Sequence, residues 1–284
     1  MRSLLFAGAT RPDLVAKLGR SGPDAVAIDL EDAVPDADKP AARAALPELV
    51  ASVNGPRVFV RVNGPASAWF GEDLAAVARL AVDGVVVPKA EAAENVQQAR
   101  LVLREGRGDG GTDRDGPAGE MAIVAGIESG RGVKEAAAIC AAAPDAAYFG
   151  AEDYIADLGG RRTAAGTEVL FARSHVALEA RLAGVPTLDQ VVVDFRDDAG
   201  FERDAEAGRA IGYRGKLCIH PSQVLIANRV FGATTEEVER ARALLAAWEE
   251  GAARGVAAVE FDGAMVDGPA LRIAQDTIER AGER

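Results

Sequence analysis

Ala25-Val26-Ala27-Ile28-Asp29-Leu30-Glu31-Asp32 decides the reading of the fold: an unbroken apolar run, then a cluster of acids. A strand with one face in water alternates apolar and polar residues, whereas a strand covered on both faces reads as a continuous apolar run. The same unit recurs along the chain. Leu4–Phe6 leads to Ala7-Gly8, Arg57–Val60 to Arg61-Val62-Asn63, Gly84–Val87 to Pro88-Lys89, and Met121–Ile127 to Glu128. Ala146–Phe149 leads to Gly150-Ala151-Glu152-Asp153, Leu188–Val193 to Asp194, and Leu217–Ile219 to His220-Pro221. Between the runs, Asp38–Val53, Gly71–Val82, Ala92–Glu105, Gly132–Ala142, Gly166–Ala183 and the shorter Asp204–Ile211 are rich in helix formers. Eight buried strands alternating with helices over about 220 residues predict an α/β fold, a (β/α)8 TIM barrel. An open doubly wound sheet would want G-x-G-x-x-G after its first strand, and Ala7-Gly8-Ala9-Thr10 does not supply it.

After His220 the pattern changes. Ser222–Phe231, Thr235–Arg254 and Pro269–Arg280 read as helices, with a break at Gly251–Gly255. The expected division is a barrel over residues 1–230 and a helical extension over 231–284 that acts as a lid or oligomerisation segment. Gly106–Gly119, dense in Gly and Asp, reads as a surface insertion on the N-terminal face of the barrel.

Composition excludes several functions. The chain has 284 residues with 32 basic and 44 acidic side chains, a net charge of −12, and no basic block. It is therefore a poor binder of nucleic acid or of an anionic membrane. No 18-residue apolar stretch is free of charge, and the apolar run near Met1 is too short for a signal peptide, so a cytoplasmic protein is expected. Two Cys and two His exclude a disulfide scaffold and a multi-histidine metal site in one chain. Any metal must be held by carboxylates, which points to a hard cation such as Mg2+.

In a barrel, chemistry sits at the C-terminal ends of the strands. Those ends carry Asp29, Glu31, Asp32, Arg61, Asn63, Lys89, Glu128, Glu152, Asp153, Asp194 and His220. Glu128 and Asp153 each read either as helix N-terminal acids or as functional carboxylates. As a pair at successive strand ends they can hold one Mg2+, which takes one or two carboxylates and fills its shell with water and substrate oxygens, such as those of a 2-keto acid. Arg61 reads either as a salt-bridge partner of Asp29 or Glu31, or as a fork for a substrate carboxylate. Most of Asp29, Glu31 and Asp32 are expected to orient Arg61 or Lys39 rather than to bind metal. Lys89 suggests a Schiff base, but the acids around it favour its charged, non-nucleophilic form. His220 reads as a base or as part of the wall of the mouth, and Cys140 and Cys218 as buried and inert.

The chain resembles the citrate lyase β-subunit-like (CitE-like) branch of the HpcH/HpaI aldolase superfamily. The matching segments are Arg2–Phe6, Asp29–Val34 with Lys39 and Ala42-Arg43, Arg61–Asn63, Val87–Lys89, Gly126–Ser129, Phe149–Asp153, Gly215–Pro221 and Gly263–Asp267, in family order. The resemblance implies a Mg2+-dependent carbon–carbon lyase. It would cleave a citryl, citramalyl or malyl thioester to oxaloacetate, pyruvate or glyoxylate and an acyl thioester, or run the reverse condensation. The thioester would be carried by coenzyme A or by a separate acyl carrier protein. Carried over by the resemblance, Glu128 and Asp153 are the metal ligands, Arg61 and Glu128 contact the substrate, and Asp267 reaches a neighbouring subunit's site as a base, implying a homotrimer or a multiple of it. The alternatives are a thioester-independent, metal-dependent hydroxy-keto-acid aldolase that releases pyruvate, and a non-catalytic subunit.

Overall fold

The computed structural model describes residues 1–107, 120–253, 255 and 258–282. In chain order the elements are β1 (Ser3–Gly8), α1 (Pro12–Val15), β2 (Ala25–Asp29), α2 (Lys39–Ser52), β3 (Arg57–Arg61), α3 (Phe70–Val77), β4 (Gly84–Val87) and α4 (Ala93–Arg107). There follow β5 (Ala122–Ile127), α5 (Gly130–Lys134), α6 (Ala136–Ala141), β6 (Ala146–Phe149), α7 (Ala151–Asp157), α8 (Thr167–Ala183), β7 (Thr187–Asp189), α9 (Asp198–Ala210), β8 (Gly215–Cys218) and α10 (Pro221–Val230). The last elements are α11 (Thr235–Ala253), β9 (Val259–Phe261), β10 (Ala264–Val266) and α12 (Gly268–Gly282). Strands β1 to β8 form a closed barrel in sequence order, all neighbours parallel, and β8 closes on β1 with Leu217 beside Leu4.

Strand alternation explains both the fold and the site. Leu4, Ala25, Ala27, Phe59, Val86, Val124, Ala146, Tyr148, Leu188 and Leu217 pack into one core, the barrel interior. The intervening residues, among them Val26, Ile28, Val58, Val60, Val85, Ile123 and Phe149, are buried too. Both faces of each strand are covered, so the runs in the sequence are unbroken. Continuing the inward alternation toward the strand ends brings up Asp29 after Ala27, Arg61 after Phe59, and Gly126 then Glu128 after Val124.

Three local expectations are corrected. The run Leu188–Val193 is not one strand: β7 is Thr187–Asp189, and Val191–Val193 leaves the sheet, its Val192 carbonyl accepting from Gln223 Nε2 at 2.9 Å. Gly132–Ala142 is two short helices that meet at Glu135. The C-terminal extension is not wholly helical, because β9 and β10 form an antiparallel hairpin whose two-residue turn is Asp262-Gly263. The Gly106–Gly119 stretch lies, from residue 108 on, outside the described residues.

The chain divides into two compact units, Met1–Asn228 and Arg229–Arg284. In the second, α11 packs on α12 and on β9. Gly251 allows the close approach to β9, since a Cβ there would collide with the Val259 side chain. No helix among the described residues is long and apolar enough to cross a membrane.

Candidate active site

The mouth of the first unit is an ion-pair cluster. Asp29, buried at the end of β2, lies opposite Arg61 at the end of β3 in the strand register. The guanidinium donates from Nε and Nη2 to the two Asp29 carboxylate oxygens, both at 2.7 Å, a fork-to-fork pair. Asp29 also accepts from the Glu31 and Ala33 backbone N–H groups, which fixes the acidic turn after β2. Burial alone would raise the Asp29 carboxyl, but the bonds from Arg61 hold it below the usual carboxylate range. Burial likewise works against the Arg61 charge, and Asp29 more than restores it, so the guanidinium stays charged. Its remaining nitrogen, Nη1, is 3.2 Å from Glu31, and the Phe6 ring lies 5.2 Å from the guanidinium carbon.

Lys89, after β4, has a left-handed backbone (φ 52°), a costly conformation for a residue with a Cβ and one that clusters at functional sites. Its Nζ lies 2.7 Å from Glu31, 3.2 Å from Asp32 and 3.6 Å from Asp153. Burial pulls its pKa down, but Glu31, Asp153 and Asp32 push it well up, so it is an ammonium and not a Schiff-base nucleophile. Lys39 is buried beneath the same turn and donates to the carbonyls of Leu30 and Glu31 and to Asn63 Oδ1. The Asn63 amide is anchored in turn by Asp73.

Glu128 is the buried carboxylate at the centre. Its side chain folds down into the barrel and accepts the Tyr148 hydroxyl. Two glycines make room: a Cβ on Gly126 would collide with the Tyr148 ring and the Glu128 carboxylate, and one on Gly150 would lie 2.6 Å from Glu128 Cγ. Burial first, and then the negative charges of Glu31 and Asp153, push the Glu128 carboxyl up to about 8, against the opposing pull of Tyr148 and Arg61. Asp153 sits in the first turn of α7, half exposed, where a helix N-terminus favours an acid.

Two cavities meet at this point. One, of about 460 Å3, is lined by Asp29, Arg61 and Tyr148 together with an apolar wall. The other, of about 570 Å3, is lined by Glu31, Lys39, Asn63 and Lys89. Asp32, Glu128 and Asp153 line both. Among the described residues no group of three or more His, Cys, Asp or Glu side chains forms a metal cage. An all-oxygen pair, Glu128 with Asp153, suits Mg2+, which needs only one or two carboxylates. The high Glu128 pKa marks a group whose ionised form lacks compensating charge, so the residues fit a hard cation.

The structure thus brings Asp29, Glu31, Asp32, Arg61, Lys89, Glu128 and Asp153 to one mouth. Asp267 belongs to the second unit, where it is exposed between β10 and α12. Asp194 lies in the loop after β7 and lines neither cavity. His220 stacks on Phe195 at 5.1 Å, its Nδ1 beside the Ser222 hydroxyl at 3.0 Å. Cys140 and Cys218 are free and buried, with thiols that burial pushes up to about 11 and about 12. Tyr148 is the site residue that sequence reasoning missed. Its signal was the inward series Ala146, Tyr148, Gly150 set against Gly126 on the neighbouring strand.

Known proteins resemble the chain over most of its length. The chain is 49% identical over 282 residues to the citrate lyase subunit beta-like protein of Deinococcus radiodurans, covering 97% of this chain and 95% of the relative. The crystal structure of CitE from Mycobacterium tuberculosis in complex with magnesium, acetoacetate and coenzyme A superposes with a TM-score of 0.79 at 35% identity, over 99% of this chain and 100% of that one. A citrate lyase beta subunit from the same organism, complexed with oxaloacetate and magnesium, superposes with a TM-score of 0.68 at 35% identity, over 81% and 96%. Residues 2–221, the span that builds the barrel and its mouth, match the HpcH/HpaI aldolase/citrate lyase family, and the chain belongs to it.

Proposed function

We propose that the mouth is the active site of a Mg2+-dependent carbon–carbon lyase. It cleaves a 3-hydroxyacyl thioester to a keto acid and an acyl thioester, or joins them in the reverse Claisen condensation. The observation that carries this reading is one cavity in which a clamped Arg61 faces Glu128 and Asp153. Glu128 and Asp153 would hold the Mg2+, which when bound supplies a Lewis acid for the oxygen of the reacting carbon. In the cleavage the C–C bond breaks, the hydroxyl carbon becomes the keto carbon, and the bonding pair passes to the thioester α-carbon. The hydroxyl proton leaves, and a proton returns to that α-carbon. Arg61, kept charged and oriented by Asp29, binds the substrate carboxylate. Glu31, Asp32 and Lys89 orient the groups around it. Tyr148 holds the Glu128 carboxylate in place through its hydroxyl.

Asp267 is the group we assign to proton transfer, acting at the mouth of a neighbouring copy, with residues 231–284 as the covering segment and a homotrimer as the assembly. Its exposure just after the β10 strand supports that role. Relatives bind keto acids, and one holds coenzyme A, so coenzyme A or a separate acyl carrier protein is the thioester carrier. The test is to incubate the metal-stripped protein with citryl-, citramalyl- and malyl-CoA, with and without Mg2+. Keto-acid release that needs Mg2+ and disappears in Glu128→Gln is expected. Cleavage of free hydroxy-keto acids alone would transfer the protein to the thioester-independent aldolases.

A further inference from the structure

On the lyase reading above, we infer that Asp73, which lines neither cavity, is a positioning residue for Arg61, the group assigned to the substrate carboxylate. Glu72 and Asp73 both lie in the first turn of α3, where an acid suits the helix N-terminus. That accounts for Glu72, whose side chain is 65% exposed, but not for Asp73, which is 1% exposed. A carboxylate so far from water needs partners in place of its hydration. Asp73 has three N–H donors. Oδ2 accepts the Asn63 backbone N–H at 3.0 Å and the Asn63 amide at 2.6 Å, and Oδ1 accepts Arg43 Nε at 2.7 Å.

These bonds close a ring. From Asp73 it passes to Asn63, whose Oδ1 accepts Lys39 Nζ at 2.6 Å. Lys39 and Arg43 stand four residues apart on α2, one turn along the same face, and Arg43 returns to Asp73. The ring fixes the direction of the Asn63 amide. Its nitrogen donates to Asp73 and to the Leu30 carbonyl, and its oxygen takes one Lys39 proton. Reversed, the oxygen would face two acceptors and the nitrogen an ammonium. Lys39 gives its other two protons to the Leu30 and Glu31 carbonyls, and the one carboxylate within 4 Å of it, that of Asp36, is 88% exposed. A buried cation without a buried anion in contact is costly, and what this one secures is the place of two carbonyls. They belong to the turn that governs Arg61, through Asp29 and through Glu31 at 3.2 Å. From the other side, the bond to the Asn63 backbone fixes the chain two residues after Arg61. Asp73 therefore steadies both supports of the guanidinium, and an arginine fork binds a carboxylate well only when it is held in register. Glu128 and Asp153, on β5 and α7, stand outside the ring.

The experiment compares the full-length wild type with Asp73→Asn and Arg43→Met. The amide has one accepting oxygen, so it serves Asn63 or Arg43 but not both, and the methionine opens the ring on its outer side without touching Asn63. Two quantities are read well below the unfolding temperature. One is backbone hydrogen exchange over residues 30–34 by mass spectrometry. The other is calorimetric affinity for Mg2+ alone and for pyruvate or oxaloacetate at saturating Mg2+. In Asp73→Asn, exchange in the turn is expected to quicken about tenfold and keto-acid affinity to fall about tenfold, with Mg2+ affinity unchanged; Arg43→Met is expected to show the same pattern more weakly. A role in stability alone would lower the urea midpoint and leave both readings of the folded protein in place. That result, or a fall in Mg2+ affinity as large as the fall for the keto acid, would overturn the assignment. If the wild type binds no keto acid, the lyase reading fails, and the exchange rates still decide whether Asp73 holds the turn.

Discussion

Asp29 spends both carboxylate oxygens on Arg61, and this one pair sets what Arg61 can offer a substrate. Asp29→Asn keeps the volume but replaces a charged acceptor with an amide, leaving a buried guanidinium under-compensated. Breaking a buried pair in this way costs about 3–5 kcal/mol. The expected outcome is a lowered urea midpoint together with a 10–100-fold fall in kcat/KM; unchanged values of both would show that Arg61 needs no clamp. Tyr148→Phe separates position from charge. The ring still fills the space beside Gly126, but Glu128 loses its hydroxyl donor. Mg2+ affinity measured by calorimetry is expected to fall about 10–100-fold, as it does when a ligand's outer partner is removed, and unaltered Mg2+ affinity would remove Tyr148 from the site. These two residues also mark how far the sequence could be read. Asp29 and Arg61 were legible because each ends an apolar run, and strand ends of a barrel converge. Tyr148 was not, because a tyrosine inside an apolar run looks like core; only the register that sets it against Gly126 reveals where its hydroxyl goes.

At the scale of elements, β7 and β8 are closed by a buried charge network on the helix side of the sheet. Lys216, fully buried, lies 2.7 Å from Asp189 and 2.5 Å from Asp204, and Arg173 of α8 bonds both acids. Four residues from four elements satisfy one another, and no local pattern announces it. A lysine in the middle of Gly215-Lys216-Leu217-Cys218 reads only as an odd strand residue until α8, β7 and α9 are placed around it. Lys216→Met leaves buried Asp189 and partly buried Asp204 sharing Arg173. It is expected to cost about 3–5 kcal/mol of stability, read as a lowered denaturant midpoint, while keto-acid affinity at the mouth is retained. A loss of affinity at unchanged stability would place the network in the site instead. The β9–β10 hairpin is the opposite case. Asp262 and Gly263 have φ of 50° and 74°. That is the left-handed pair a tight hairpin turn demands, and Asp-Gly is the strongest short-range signal for one. The turn was legible, but the helical character of its neighbours obscured it. Gly263→Val strains that turn, three residues after which the chain reaches Asp267. On the proposed role of Asp267, thioester turnover is expected to fall at least tenfold while calorimetric pyruvate binding stays the same. Full turnover would detach the hairpin from catalysis.

For the whole molecule, the net charge of −12 becomes a statement about pH and metal. Part of the acidic excess is held at one mouth, and the chain's shielded carboxylates, there and in the Lys216 network, titrate in opposite directions. Asp29 and Asp204 have lowered pKa values; burial raises them, but Arg61 in one case and Lys216 with Arg173 in the other more than offset it. Their contribution to stability is complete above the unfolded value of about 3.9 and is lost as pH falls through the lower folded values. Glu128 runs the other way. Its folded pKa, near 8, lies above the unfolded value of about 4.3, so the folded chain holds a proton that the unfolded chain releases. Stability of the metal-free protein is therefore eroded as pH rises from about 4.3 to 8, and the full cost is present above that. A cation on Glu128 needs the ionised carboxylate and repays that cost, so metal binding and deprotonation are one equilibrium. The expected result is that 100 Kd of Mg2+, which stabilises by about 2.7 kcal/mol, raises the unfolding temperature by about 5 °C at pH 8.5. At pH 6 the same Mg2+ concentration should raise it far less, because protonated Glu128 weakens binding, and Glu128→Gln should abolish the shift at both values. A thermal shift by Mg2+ that is equal at pH 6 and pH 8.5 would mean that the cation binds at carboxylates other than Glu128.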